Sequence, residues 1–184
     1  MKMKPSWLYL PVLLLQILLT ANVTAEVRLV VDTREATLTV LEEGAVIHAF
    51  ENIAIGRFGT TRYKKMGDNR TPLGTWRIGW ITRNTRYHRF LGIDYPDMQT
   101  ASRALFDGTI DFSLWERVRR DVESGRTPSQ KTPLGGYLGI HGVGQGDLEV
   151  HRQFNWTNGC IALTNEQIDR LAEWVSVGTE VEIR

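Results

Sequence analysis

The sequence predicts a mainly β domain with α-helical insertions, and three observations predict it. Short apolar runs alternate with turn formers from Val27 through the first half of the chain. Between Gln99 and Ser124 the apolar spacing changes to a four-residue period. Near the C-terminus a capping sequence opens an apolar stripe of helical spacing, and one more short apolar run follows it.

In chain order, Val27 to Val31, Ala36 to Leu41 and Ala45 to Ile55 are separated by turn formers such as Glu43-Gly44 and read as strands of an antiparallel meander. Thr75 to Thr82 follows Thr71-Pro72-Leu73-Gly74, so a Pro/Gly turn leads into a further strand. Ile110, Leu114, Val118 and Val122 recur among arginines and acids with Gly125 behind them, which predicts a helical insertion within about Arg83 to Arg126. As an insertion it is the natural place for a lid or a cleft wall. A second Thr-Pro-Leu-Gly, Thr132 to Gly135, precedes an apolar strand from Tyr137 to His141. Its flanks differ from those of the first, so the repeat is a turn used twice and not a duplicated domain. Thr164 and Gln167 form a capping box, Ile168, Leu171, Ala172 and Val175 lie on one helical face, and Gly178 closes the helix. Val181 to Ile183 returns as the last strand. Trp76, Trp80, Trp115 and Trp174 fall in these patterned segments and read as core.

Ahead of the first strand, Lys2 and Lys4, an apolar run from Trp7 to about Leu19 and the ending Val23-Thr24-Ala25 have the layout of a secretory signal. The apolar run is shorter than the roughly 20 residues of a membrane span. Cleavage after Ala25 is therefore expected, leaving one domain over residues 26–184 in the periplasm or cell envelope with no stable membrane span. A domain of that size buries a core without disulfides or metals. It holds 20 Lys and Arg against 21 Asp and Glu, so it lacks the basic footprint of a nucleic-acid binder.

Cys160 is the single cysteine, and in an exported protein it has no intramolecular partner. A lone cysteine is ordinarily a small buried hydrophobe, but the surroundings of this one argue for chemistry. His141-Gly142 lies upstream, and Asn155-Trp156-Thr157-Asn158-Gly159 leads directly into Cys160. A thiol attacks carbonyls as thiolate, and a neighbouring imidazole supplies the thiolate by taking its proton. Gly159 allows close backbone approach, so N–H groups at this turn can face a developing oxyanion. Asp147 and His151 lie between the two residues and could join Cys160 on zinc, but no closely paired ligands such as Cys-x-x-Cys occur. The glycines from Gly142 to Gly146 lack dinucleotide-loop spacing.

His141-Gly142 followed by Thr157-Asn158-Gly159-Cys160 resembles the signature of the YkuD-type L,D-transpeptidase catalytic domain. Thr71-Pro72-Leu73-Gly74 before a Trp-containing strand, and Tyr87 to Pro96, resemble further stretches of that family in the same order. The resemblance implies a β-sandwich with a helix packed on it, and a cysteine enzyme that needs no cofactor or metal. It implies Cys160 as nucleophile and His141 as general base, oriented by the Gly142 carbonyl, with Gly159 in the oxyanion-hole backbone. The implied substrates are peptidoglycan stem peptides, cleaved after the L-centre of the third residue, usually diaminopimelate. D-alanine leaves and an amine takes the acyl group. Thr157, Asn158, Trp156, Tyr95 and Arg103 are the expected substrate contacts.

Asn158 and Ala162 stand where many members of that family have His and Arg. Asn does not titrate near neutral pH, and the missing guanidinium removes a planar fixed charge. Two other outcomes therefore stay open: hydrolysis of the same acyl-enzyme by an L,D-carboxypeptidase or amidase, and a non-catalytic wall-binding module.

Overall fold

The computed structural model describes residues 26–184, and the expected signal segment lies outside the described residues. Strands β1 (Val27–Asp32), β2 (Thr37–Glu42) and β3 (Ala45–Glu51) form the antiparallel meander. Leu29, Val31, Leu38 and Val40 are buried at alternate positions of β1 and β2, as a strand with one covered face requires. The two-residue strands β4 (Thr60–Thr61) and β5 (Thr71–Pro72) pair in parallel before β6 (Gly74–Thr85), which is antiparallel to β7 (His88–Ile93). Helices α1 (Met98–Phe106) and α2 (Phe112–Glu123) come next, then β8 (Gly139–Gly142), α3 (Leu148–Gln153), β9 (Ile161–Leu163), α4 (Asn165–Leu171) and β10 (Glu180–Ile183).

Eight strands form one mixed sheet in the order β3-β2-β1-β10-β6-β7-β8-β9. β6 is long enough to serve two halves: Gly74 to Arg77 pair with β10, and Ile78 to Thr85 with β7. After β3 the chain crosses to the opposite edge, where Ala54 and Ala162 exchange backbone hydrogen bonds of 3.0 and 2.7 Å. The segment after β3 is thus tied to the β9 edge, and the bent sheet packs over a common core. Leu29, Val31 and Leu38 from one half share it with Leu91, Ile93, Ile140 and Ile161 from the other. Each such buried side chain contributes about 1.5–3 kcal/mol relative to exposure. The sandwich is thus one sheet folded on itself, with α4 against β8 and β7.

Five details differ from expectation. The helical insertion is narrower, because Arg83 to Thr85 and His88 to Ile93 are strands at the centre of the sheet. Its single period covers two helices: Asp111 caps α2 by accepting from Leu114 N at 2.7 Å, and Gly108 turns the chain with φ +70°. Ile110 is buried in the connection, whereas Val122 faces outward. α4 ends at Leu171, and Val175 reaches the core from the turns beyond it. The strand expected from Tyr137 begins at Gly139, because Tyr137 adopts φ +53° and its N–H donates to Gln130 Oε1 at 2.7 Å. α3 had no apolar period to announce it. Asp147 starts it by accepting from Glu149 N and Val150 N. Among the described residues no helix is long and apolar enough to cross a membrane.

Candidate active site

β8 and β9 are parallel neighbours with Ile140 opposite Ile161 and His141 opposite Ala162. Cys160 stands on the turn entering β9, two residues before Ala162. One pleat repeat therefore separates it from the side chain beside His141. This parallel pairing brings the turn that holds Cys160 next to the strand that holds His141.

His141 is 2% exposed, and its Nδ1 lies 2.8 Å from Gly142 O. With Nδ1–H donating to that carbonyl, Nε2 is the free, basic nitrogen. The ring is sandwiched by aromatics: Tyr87 at 4.3 Å between centroids, Phe90 at 6.0 Å and Trp156 edge-on at 5.7 Å. Burial lowers the His141 pKa from 6.5 to about 4, against the pull of the Gly142 hydrogen bond, so the ring is neutral at neutral pH. Burial also pushes the Cys160 thiol up to about 11, against a hydrogen bond from the Gly139 backbone and the field of Lys64. The resting pair is thus thiol and imidazole, not thiolate and imidazolium. The Sγ–H points to Tyr137 O at 3.5 Å.

The turn before Cys160 is braced from within. Thr157 is buried, its hydroxyl donates to Cys160 O at 2.7 Å, and the same oxygen accepts from Gly159 N at 3.1 Å. Gly159 has φ +129°, and a Cβ there would sit 2.6 Å from Arg70 O and 3.2 Å from Lys64 Cε. Glycine is required by the close approach of these protein groups. The segment after β3 runs alongside, with Arg57 N bonded to Thr157 O at 3.0 Å and Thr157 N to Ile55 O at 3.1 Å. Arg57 Nη2 donates to Asn158 Oδ1 at 2.6 Å and to Trp156 O at 3.4 Å. A guanidinium thus reaches the loop from outside the motif, while Ala162 offers none.

Two open clefts flank the pair. On the cysteine side a cavity of ≈ 640 Å³ is lined by Lys64, Asn69, Lys131, Tyr137, Leu138 and Asn158, among others. On the histidine side a cavity of ≈ 470 Å³ is lined by Arg86, Tyr87, Val143, Asp147, Val150 and Trp156, with further loop residues. Asn158 and Trp156 therefore face different clefts. Trp156 is held by its Nε1 donating to Nδ1 of the buried His151 at 3.3 Å. Asn165 closes the loop after His141, bonding Gly144 N at 2.8 Å and Gly144 O at 2.9 Å.

Two expected substrate contacts lie elsewhere. Tyr95 is fully buried, and its hydroxyl is set between Lys64 O at 3.2 Å and Leu134 O at 3.1 Å. It fastens together the two loops that wall the cysteine-side cleft. Tyr95→Phe removes the only hydroxyl between two buried carbonyls and is expected to cost about 1–3 kcal/mol. Urea unfolding checks this as a lower midpoint at unchanged slope. Arg103 on α1 pairs with Asp107 at 3.0 Å and covers the rings of Tyr63 and Phe106. It supports the outer side of the loop holding Lys64 and lines neither cleft. Arg57 and Lys64 escaped the sequence reading, because each reaches the site from an element that no motif connects to Cys160, and Tyr87 and His151 entered it only as part of a family-like stretch and as a possible zinc ligand, not as neighbours of His141 and Trp156.

The family model of the L,D-transpeptidase catalytic domain, YkuD, matches residues 26–183. No curated protein matches the sequence. Among solved structures, the fold is similar to that of the helical cell shape determining protein Pgp2 from Campylobacter jejuni. There the TM-score is 0.56 and the identity 21%, over 86% of this chain and 47% of that one. It is also similar to Bd1075 of Bdellovibrio bacteriovorus, with TM-score 0.53 and 18% identity over 87% and 48% of the two chains. An L,D-transpeptidase of Enterococcus faecium gives TM-score 0.50 and 13% identity over 86% and 50%. The chain spans about half the length of each of these structures.

Proposed function

The chain belongs to the L,D-transpeptidase catalytic domain family, and from that membership we propose that it is an exported peptidoglycan L,D-transpeptidase of the cell envelope with Cys160 as nucleophile. The observation that supports this most is the thiol and the neutral imidazole on adjoining parallel strands with an open cleft on each side. His141 Nε2 takes the thiol proton as Sγ attacks the carbonyl at the L-centre of the third stem residue. The negative oxygen is met by the Cys160 N–H, since the Gly159 N–H is engaged by Thr157 Oγ1. Collapse of the intermediate breaks the amide, His141 returns the proton to the leaving D-alanine amine, and a thioester remains on Cys160. An acceptor amine entering by the second cleft gives a proton to His141, forms the new amide and releases the thiol. A reaction with two substrates that never meet needs two approaches, and one cleft beside the neighbours of Cys160 and another beside the aromatics around His141 support that reading.

The test is incubation of the protein with disaccharide tetrapeptides, read by mass spectrometry. A cross-linked dimer with loss of one alanine is the expected product. Tripeptide without dimer assigns the chain to hydrolysis instead, and unchanged tetrapeptide removes the acyl-transfer reading.

A further inference from the structure

Among the described residues Lys64 is the one buried lysine or arginine, 5% exposed, and it sits at the nucleophile's turn. Its stem lies against Gly159, where a Cβ would come within 3.2 Å of Lys64 Cε, and the residue forms part of the wall of the cysteine-side cleft together with Asn158. Behind it Asp68 receives the ammonium through Oδ1, and Lys65 O accepts a second bond at 3.1 Å. An ammonium has three N–H donors, so these partners leave one.

The local fold does not explain a lysine here. Asp68 already closes the turn through backbone donors, with Lys65 N at 2.9 Å and Arg70 N at 3.0 Å. An apolar side chain of the same length would fill the space, and a buried ion pair is commonly no more stabilising than such a replacement. Other charges around the turn are differently engaged. Arg57 is bonded to Asn158 and Trp156, Arg70 reaches Thr60 O and presents its own carbonyl to Gly159, and Lys131 lies exposed on the cleft wall. His141 faces the thiol row from β8 as a neutral ring.

We propose that Lys64 is a positioning residue of the acyl transfer, a fixed cation whose field holds the negative charge that passes from the Cys160 sulfur to the carbonyl oxygen, with Asp68 as the anion that aims and moderates it. The inference rests on Cys160 being the nucleophile. It accounts for how a partly buried sulfur carries charge during attack, with the imidazolium formed in the same step as further cationic help.

The charge arrangement predicts opposite effects from its two members. Alkylation of Cys160 by iodoacetamide at a fixed mildly alkaline pH reads the thiolate fraction without substrate. Lys64→Met is expected to slow it about tenfold, and Asp68→Asn to speed it several-fold, because the first removes the cation and the second unmasks it. Lys64→Arg restores most of the rate. Alkylation in urea, where the field is gone, is equal for all four proteins. Parental rates in Lys64→Met, or changes of the same direction in Lys64→Met and Asp68→Asn, overturn the proposal, since a purely structural pair loses function from either side alike. The probe reports the thiol alone, so failure here leaves the acyl-transfer reading to the muropeptide products, and failure there leaves the field at Cys160 measurable.

Discussion

Replacing Cys160 with alanine is expected to reduce release of alanine from tetrapeptide stems by on the order of 10³-fold or more, while the unfolding midpoint stays close to that of the parent. The expectation of large loss comes from covalent chemistry: without sulfur there is no thioester, and His141 has no proton to take. The expectation of intact folding comes from what the residue does otherwise. Its carbonyl accepts from Thr157 Oγ1, a bond that alanine keeps, and its side-chain contact to Tyr137 O is long at 3.5 Å. Removing a thiol that keeps its proton at neutral pH takes no charge out of the site. A non-catalytic wall-binding module makes the reverse forecast. It has no turnover to lose, and Cys160→Ala would bind peptidoglycan as the parent does. Measuring alanine release and unfolding on the same two proteins separates these readings.

The parts of this molecule legible in the sequence are those whose physics is local. Strand alternation in β1 and β2 shows in Leu29, Val31, Leu38 and Val40 because each strand covers one face of a core. The α4 cap shows because Thr164 and Gln167 satisfy each other's backbone donors within one turn. α3 stayed hidden, since it is a single short stretch begun by Asp147 with no buried apolar stripe. The split between α1 and α2 was masked for another reason. Ile110 and Val118 both reach the core, so a period continues across a break made by Gly108 and Asp111. The motif placed Cys160 and His141, but what surrounds them depends on pairing at long range. Lys64, Arg57 and Tyr87 arrive through the β4–β5 loop, the crossing after β3 and the β6–β7 hairpin. A sheet folded over one core, with the segment after β3 tied to its far edge, assembles such neighbours without any spacing rule to announce them. Tyr95 shows the same limit from the other side: a polar-tipped aromatic near a motif reads as a ligand contact until its hydroxyl is found between two buried carbonyls.

His141 has two measurable signatures that a merely structural histidine lacks in combination. The first is kinetic. Attack requires the thiol proton in place and the imidazole neutral, a state that holds from about pH 4 up to about pH 11 given the two shifted groups. The acid limb of kcat/KM for alanine release is therefore expected near pH 4, with activity sustained through the range where an ordinary histidine would be charging. An acid limb at the ordinary 6.5 would show that the ring is hydrated during turnover and that burial is not what sets it. His141→Gln is expected to lower the rate by roughly 10²–10⁴-fold, the usual contribution of general base catalysis. The second signature is in stability. Because burial depresses the folded-state value, the unfolded chain binds the proton more tightly, and stability from this group is complete above 6.5 and is lost as pH falls toward about 4. Between about pH 7 and about pH 4 the parent should lose about 3 kcal/mol more than His141→Gln. Urea unfolding of both proteins at the two pH values measures the difference, in which all other titrating groups cancel. Equal losses in the two proteins would mean that His141 titrates alike in the folded and the unfolded chain, so that burial does not set its basicity, and the acid limb would then be expected near 6.5.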